Sequence, residues 1–321
     1  MFMQNLPDTV LINEVSTRDG FQSEAVFVPT EKKIEIIDRL SLLGLNKIEV
    51  TSFVSPKAIP NLRDAEEVMH RITRNPKVTY VTLVPNEKGA ERALATKADE
   101  VNLVMSVSES HNLSNMRMTC DQSLAQFSRI CRLMEGSGVR INASLATSFG
   151  CPFEGIIAPE RVLQVVDQYL DIGIQSISIA DTTGMASPRQ VHELCSLVRN
   201  AYPTLEVTLH LHNTRGMGLA NALAGLSSGI NQLDASLGGI GGCPYAPGAT
   251  GNVCTEDLVH MLESIGLHTR VDLINLLELS RELPAVLEHE TSGQVAKAGL
   301  RTETRPLSQG VIDLKARNEK H

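Results

Sequence analysis

Short apolar runs recur along the chain, separated by longer segments in which the apolar residues follow a helical period. Most of the runs are rich in Val, Ile and Thr and begin soon after Gly, Asp or Pro, as buried parallel strands do. The sequence therefore predicts eight strands, which are LINEVS (11–16), KIEVTS (47–52), TYVTLV (79–84), EVNLVMS (100–106), VRINASLAT (139–147), SISIADT (176–182), EVTLHLH (206–212) and QLDASL (232–237).

The segments between these runs carry helix signals. Thr30 is predicted to cap the helix in EKKIEIIDRLSLLG, and Pro159 opens PERVLQVVDQYLDIG, which stops at Gly173. Ser187 opens a similar segment, and TEDLVHMLESIG follows the eighth strand.

Strand and helix alternate eight times, which predicts an α/β fold, a (β/α)8 TIM barrel. A doubly wound open sheet is the alternative, but no dinucleotide-binding fingerprint follows the first strand. We expect one barrel domain over residues 1–300 and a polar, mobile tail over 301–321.

Composition and charge limit the function classes. The chain has 321 residues, a net charge of −8, 42% hydrophobic residues and no tryptophan. That charge argues against nucleic acid as the main partner, because phosphate binding needs a basic surface. The six cysteines include no C-x-x-C pair, which is typical of a reducing compartment. With no secretory signal and no apolar run near the ~20 residues of a membrane span, we expect a cytoplasmic protein.

Metal-ligand residue types stand at the ends of the predicted strands. His210 and His212 alternate with Leu211, so both imidazoles point to one face of the seventh strand. Barrel closure brings strands one, seven and eight together, and Asp19 and Asn252 follow the first and the last of these. Singly, each is as easily explained as a turn, loop or hydrogen-bonded residue. Together they predict a site for Mg²⁺ or Mn²⁺, with Co²⁺ or Zn²⁺ as further possibilities.

Three charged residues on the same rim are candidates for catalysis. Arg18 precedes Asp19 and would direct a positive guanidinium at a developing enolate or a carboxylate. Glu49 lies inside a strand, where an unpaired carboxylate is costly, so we expect it to pair with Arg18 or a metal-bound water. Asp181 would bind a substrate hydroxyl or orient a neighbour, or serve only as a turn residue.

The segment 238–244, GGIGGCP, is too rich in glycine to form a helix or strand. A phosphate loop is one interpretation, but Pro244 lacks an N–H donor and no Lys-Ser/Thr pair follows. A hinged lid is favoured, with Cys243 carried over the rim as a proton donor or acceptor. The other interpretation of Cys243 is a small apolar side chain in a loop.

Several of these stretches resemble one known family. EVSTRDGFQSE, IEVTSFVSPKAIP, SFGCPFEG, ADTTG, HLH and GGIGGCPYAPGATGNVCTEDLVHML are similar to segments of the 3-hydroxy-3-methylglutaryl-CoA lyases. These are barrel metallolyases that share an Arg-Asp motif after the first strand. The resemblance runs from about Leu11 to Leu300, and GGCPYAPGATGN holds the family's signature cysteine.

The resemblance implies cleavage of an acyl-CoA substrate, 3-hydroxy-3-methylglutaryl-CoA, into acetyl-CoA and acetoacetate by a homodimer. A base, either His210 or a carboxylate of the rim, would take the hydroxyl proton, while Arg18 stabilises the enolate and Cys243 protonates its carbon. The family's metal ligands match Asp19, His210, His212 and Asn252, its catalytic residues match Arg18, Glu49, Asp181 and Cys243, and Glu256 lies on the same mobile segment as Cys243.

Some positions depart from the family pattern. Phe21 replaces Leu, Ala25 stands where Lys is common, and Arg215 lies in an Asn-Thr-Arg-Gly segment where the lyases have Asp-Thr-Tyr-Gly. The loss of a cation at position 25 suggests an acyl pocket suited to a related 3-hydroxyacyl-CoA.

Two other functions remain open. A Claisen-condensing enzyme, like isopropylmalate or homocitrate synthase, shares Arg-Asp and His-x-His, but usually carries a large region after the barrel. A non-catalytic barrel that binds acyl-CoA or metal is the alternative of another class, although every expected ligand type is present here.

Overall fold

The computed structural model describes residues 6–242 and 251–319. Within these residues, eight parallel strands close into a barrel in the order β1-β8-β7-β6-β5-β4-β3-β2. The strands are β1 (Leu11–Glu14), β2 (Lys47–Ser52), β3 (Thr79–Leu83), β4 (Glu100–Ser106), β5 (Arg140–Ala146), β6 (Ser176–Asp181), β7 (Glu206–Leu211) and β8 (Gln232–Ala235). The predicted (β/α)8 barrel is confirmed.

Helices surround the barrel. They are α1 (Thr30–Leu40), α2 (Ala65–Arg71), α3 (Glu87–Ala95), α4 (Glu109–Met116), α5 (Cys120–Met134), α6 (Pro159–Asp171), α7 (Pro188–Ala201), α8 (Gly218–Leu226), α9 (Thr255–Ser264), α10 (Leu273–Leu287), α11 (Val295–Ala298) and α12 (Gln309–Asn318). A short antiparallel hairpin joins Gly150–Cys151 to Gly155–Ile156 after β5. None of the helices that the structure describes has the length and apolar character needed to cross a membrane.

Local signals explain most helix ends. Pro159 occupies the first position of α6, and Gly173 adopts a φ of +89° just after that helix. Ser187 and Gln190 form a capping box at the start of α7. The predicted cap at Thr30 is wrong: Thr30 is the first residue of α1, and its hydroxyl donates to Asp64 Oδ2 over 2.8 Å.

The apolar core fills the space between strands and helices, through residues such as Ile37, Val166 and Leu194. It continues past the barrel into Leu276 of α10 and Val295 of α11. In contrast, the segment predicted to be a polar, mobile tail contains a helix, α12, which is exposed along its length. The domain boundary at residue 300 stays a prediction.

The inside of the barrel is unusually polar. Barrel interiors are commonly packed with branched apolar side chains, whereas here a small cavity of about 30 Å³ is lined largely by polar and charged groups. Its lining is Asn13, Val15, Lys47, Glu49, Val81, Glu100, Asn102, Asn142, Ser178, Thr208 and Asp234. These groups form the floor beneath the site described next.

Candidate active site

Arg18 and Asp19 lie in a π-helical turn, Ser16–Gly20, that follows β1 directly. Such a turn widens the backbone by one residue and occurs often at functional sites. Gly20 fits here because a Cβ would come within 2.6 Å of the Ile240 side chain. The turn thus places both charged side chains on the carboxyl-terminal rim of the barrel.

His210 in β7 and His212, just after the end of that strand, point toward this turn. Their Nε2 atoms are 3.2 Å apart, and Asp19, His210 and His212 each offer a ligand atom within 4.8 Å of the others. The structure therefore brings together three of the four predicted metal ligands.

Asn252 lies beside the same group, bridged to His212 through the backbone. Its amide nitrogen donates to Asp19 Oδ2 over 2.6 Å and to the carbonyl of Ile240 over 3.0 Å. Asn252 therefore lies next to the ligand cluster. Its amide oxygen and nitrogen are assigned from the hydrogen-bond network, which places the nitrogen toward Asp19.

The donor set fits a divalent cation. One carboxylate and two imidazoles on a partly solvated rim suit Mg²⁺, Mn²⁺ and similar ions that keep open positions. His212 Nδ1 is buried without a hydrogen-bond partner among the described residues, so no hydrogen bond at that nitrogen explains why the imidazole is buried here.

Arg18 makes a buried ion pair with Glu49. Its Nε and Nη2 lie 2.7 Å and 2.6 Å from Glu49 Oε2, and its Nη1 lies 2.6 Å from Asp19 Oδ1. Asn102 donates to the other Glu49 oxygen over 3.1 Å. The pairing of Glu49 with Arg18 that the sequence predicted is present, and it fixes the plane of the guanidinium.

Charge and burial act in opposite directions on the ligand cluster. Burial would raise the pKa of Asp19, but Arg18 and the two histidines hold it below its ordinary value. Burial would lower the pKa of His210, yet the hydrogen bond to Asp234 and the nearby carboxylates raise it. His212 lacks such a partner, and burial together with His210 lowers its pKa to about 4. The metal-free site thus keeps an ionised carboxylate and a neutral His212 at pH 7.

A cavity of about 1340 Å³ opens over the cluster. Its wall includes Arg18, Asp19, His210 and His212, and also Ala25, the position that departs from the family pattern. Arg215 is exposed and donates to the carbonyls of Thr183 and Gly184. It is not among the residues that line the cavity.

Asp181 is held by the backbone beyond its own strand. It is fully buried and accepts hydrogen bonds from the N–H groups of Met185 and Ala186 over 2.8 and 3.1 Å. Its neighbours Ala180 and Thr182 line the cavity, whereas Asp181 does not. Burial raises its pKa to about 6. These contacts favour the turn-residue interpretation.

Glu256 lies in helix α9 and not in the glycine-rich loop, which corrects the segment assigned to it from the sequence. It is buried in the first turn of α9, where it accepts from the N–H of Gly238 over 3.1 Å and from the Ser280 hydroxyl. Burial raises its pKa. Gly239 lines the cavity and Glu256 does not. Glu256 therefore supports the start of the glycine-rich loop from the side that faces away from the cavity.

Cys243 and Pro244 of the predicted lid lie outside the described residues, as do the residues up to 250. Gly241 and Gly251, on either side of this gap, have φ values of +100° and +98°. A Cβ on Gly241 would approach Asn252 Nδ2 to 2.6 Å. Glycine is therefore required where the loop passes the ligand cluster.

Two carboxylates of the site region, the partly buried Asp234 and the fully buried Glu14, were missed in the sequence. Asp234 Oδ2 lies 3.1 Å from His210 Nδ1, and Glu14 accepts from the N–H groups of Ser16 and Leu237. Both are acidic residues inside predicted strands. The argument that singled out Glu49, that a carboxylate within a strand needs a partner, applies equally to them.

Fold and site together define a barrel enzyme with a candidate divalent-metal site on its rim. The chain belongs to the HMGL-like family, whose model matches residues 9–283. The enzymes of this family use a divalent metal, and its relatives are carbon–carbon lyases.

Individual relatives resemble nearly the whole chain. Human mitochondrial hydroxymethylglutaryl-CoA lyase is 40% identical over 92% of this chain and 91% of its own length. The (R)-citramalyl-CoA lyase of Chloroflexus aurantiacus is 39% identical over 91% and 95%. The structure of an HMG-CoA lyase from Acinetobacter baumannii, in complex with coenzyme A and 3-methylmalate, matches with a TM-score of 0.91 and 53% identity, covering 94% of this chain and 98% of that one.

Proposed function

We propose that this chain cleaves 3-hydroxy-3-methylglutaryl-CoA into acetyl-CoA and acetoacetate. The observation that carries the proposal is the convergence of Asp19, His210 and His212 beside the Arg18–Glu49 pair. Together these groups offer a cation site and a fixed positive charge at the wall of a cavity large enough for a thioester substrate.

The reaction needs one proton removed from oxygen and one delivered to carbon. When bound, a divalent cation supplies Lewis acidity toward the substrate hydroxyl. His210 or a carboxylate of the cluster takes the hydroxyl proton, and the bond between C2 and C3 breaks. Its electron pair goes to the thioester enolate, whose charge faces Arg18. Cys243 then donates a proton to C2, which completes acetyl-CoA.

A shorter acyl group is the second candidate. (R)-Citramalyl-CoA lacks one methylene between the carbinol carbon and the carboxylate, and a relative 39% identical is named for its cleavage. The lyase structure that is 53% identical to this chain was solved with 3-methylmalate, whose main chain has four carbons, as the citramalyl group does. One methylene changes discrimination by about 10–200-fold, so the two substrates are separable by rate.

The experiment is a parallel assay of both thioesters. Purified protein with Mg²⁺ or Mn²⁺ and a reduced thiol is supplied with each one, and acetoacetate and pyruvate are measured separately. The proposal expects EDTA-sensitive acetoacetate release with the higher kcat/KM. Faster pyruvate release would assign the citramalyl substrate, and folded, metal-loaded protein inactive on both would refute lyase activity on these thioesters.

The condensing reaction is assayed in the same samples. Acetyl-CoA is mixed with a 2-oxo acid, and the release of free coenzyme A is followed. Release without thioester cleavage would favour a synthase, and metal binding with neither activity would favour a non-catalytic barrel.

The metal, the assembly and the location belong to the same proposal. We infer Mg²⁺ or Mn²⁺ from the mixed nitrogen and oxygen ligands, and a homodimer from the family resemblance. Each of the five described cysteines is free, which supports a cytoplasmic location. Activity after metal replacement tests the metal, and light scattering on the eluted protein tests the dimer.

A further inference from the structure

A chain of partly buried hydrogen bonds leads from the ligand cluster into the barrel. His210 Nδ1 lies 3.1 Å from Asp234 Oδ2. The other carboxylate oxygen, Asp234 Oδ1, accepts from Asn13 Nδ2 over 2.9 Å. Asn13 Oδ1 in turn accepts from Asn46 Nδ2 over 2.9 Å. Both oxygens of Asp234 therefore have defined partners.

Strand register produces this arrangement. Asp234 on β8 pairs with His210 on β7 and with Asn13 on β1. Residues paired across neighbouring parallel strands lie at one level and point to the same face. The three side chains thus meet inside the barrel directly below the rim.

The contact with Asp234 determines which nitrogen of His210 carries the proton. An ionised carboxylate only accepts hydrogen bonds, and a neutral imidazole carries one N–H. The proton must therefore lie on Nδ1, which leaves the lone pair of Nε2 directed toward His212 and Asp19. His212 has no comparable partner on its Nδ1 among the described residues.

We propose that Asp234 is a positioning residue that holds His210 in the Nδ1–H tautomer and commits its Nε2 to the cation. This rests on the metal site of the proposed function. It also separates two roles given to His210, because a single Nε2 lone pair cannot bind a cation and accept a proton at once. The base is then a carboxylate of the cluster.

The test is Asp234→Asn. Asn13 still needs an acceptor, so the new side chain keeps its oxygen toward Asn13 and turns its NH₂ toward His210 Nδ1. The proton of His210 then moves to Nε2, which blocks the ligand atom. We expect the Kd for Mn²⁺, measured by titration calorimetry, to rise by about 10–100-fold.

A spectroscopic readout in metal-free protein separates positioning from a loss of fold. Histidine ¹⁵N spectra at alkaline pH report the tautomer, with the His210 signals assigned by their loss in His210→Gln. We expect Nδ1–H in the wild type and Nε2–H in Asp234→Asn. Ser178→Ala is the matched control, since Ser178 lines the same small cavity but hydrogen-bonds Asn142, and its Mn²⁺ affinity should be unchanged.

Each outcome decides the proposal. Nε2–H in the wild-type protein would overturn it without any variant, and so would an unchanged tautomer and Kd in Asp234→Asn. If wild-type protein binds no Mn²⁺, the proposed metal site fails and the commitment of Nε2 to a cation fails with it. The tautomer measurement would then still show whether Asp234 orients His210.

Discussion

Arg18 and Glu49, 31 positions apart in the sequence, are joined by two nitrogens of one guanidinium that lie 2.7 Å and 2.6 Å from the same carboxylate oxygen. The third nitrogen lies 2.6 Å from Asp19. Both carboxylates are needed to hold this orientation, because a planar guanidinium has donors in fixed directions. The positive charge next to the metal ligands is therefore set in place before a substrate arrives.

Arg18→Lys should lower kcat much more than it lowers metal affinity. A lysine keeps the positive charge but cannot reproduce the planar set of three contacts that Arg18 makes, so the charge that faces the enolate is displaced. Loss of one such donor lowers kcat by about 10²–10³. Steady-state kinetics and Mn²⁺ titration on the same protein test this. Arg92→Lys is the control, because Arg92 pairs with Glu66 outside the cavity, and full activity in Arg18→Lys would remove Arg18 from the mechanism.

Cys243→Ala should abolish most turnover and leave metal binding intact. The prediction rests on the sequence signature around Cys243, since this residue lies outside the described part of the structure. Cleavage of the thioester and Mn²⁺ titration are compared with those of Cys131→Ala, a half-buried cysteine of α5. Wild-type rates in Cys243→Ala would mean that another group protonates the enolate.

His212→Ala should reduce metal occupancy. It removes one of three side chains whose ligand atoms lie within 4.8 Å of each other, and neither Asp19 nor His210 can replace it. Elemental analysis of protein purified in Mn²⁺, alongside the exposed-histidine variant His268→Ala, measures the loss. Equal metal content in both variants would refute the ligand set.

The strands were predictable because a strand covered on both faces must be apolar nearly throughout. All eight predicted runs overlap a barrel strand, and several run too far, as QLDASL does by extending to Leu237 where β8 ends at Ala235. Strand closure then placed Asp19 near His210 and His212 without knowledge of any side-chain contact. The rule that the carboxyl ends of barrel strands meet at one rim was sufficient to predict that part of the site.

The contacts that orient these groups were not predictable in the same way. Asp234 meets His210 only because the register of β7 and β8 aligns them, and no local pattern specifies that register. Similarly, the distant Asp64 accepts the Thr30 hydroxyl that a local cap would have used. Glu256 looked like part of a mobile segment because its helix directly follows a glycine-rich loop.

Gly241→Ala should weaken metal binding, because the added methyl group would overlap two of the predicted metal ligands. A Cβ there would lie 2.6 Å from Asn252 Nδ2 and 3.0 Å from Asp19 Oδ2. Gly266→Ala is a close control, because Gly266 also has a positive φ, +89°, but nothing lies within 4 Å of its Cβ position. Both variants carry similar backbone strain, so only steric displacement of the ligands separates them. Equal Mn²⁺ affinities would show that the site adapts to the methyl group.

Glu14→Gln should change how stability depends on pH. Burial raises the pKa of Glu14 from 4.5 to about 7. Between these values the folded protein keeps a proton that the unfolded chain has lost, so the free energy of unfolding falls as pH rises and levels off above pH 7. The full effect is about 3 kcal/mol at most.

The glutamine variant lacks this titration and fits the same contacts. Its oxygen can accept from Ser16 and Leu237, while the Thr255 hydroxyl, which donates to Glu14 over 2.8 Å, can turn to accept instead. Denaturant unfolding at acidic and mildly alkaline pH should show Glu14→Gln gaining stability over wild type only at the higher pH. Glu91→Gln, at an exposed position, should follow the wild-type profile. A constant difference between Glu14→Gln and wild type across pH would mean that the pKa of Glu14 is the same in the folded and the unfolded protein.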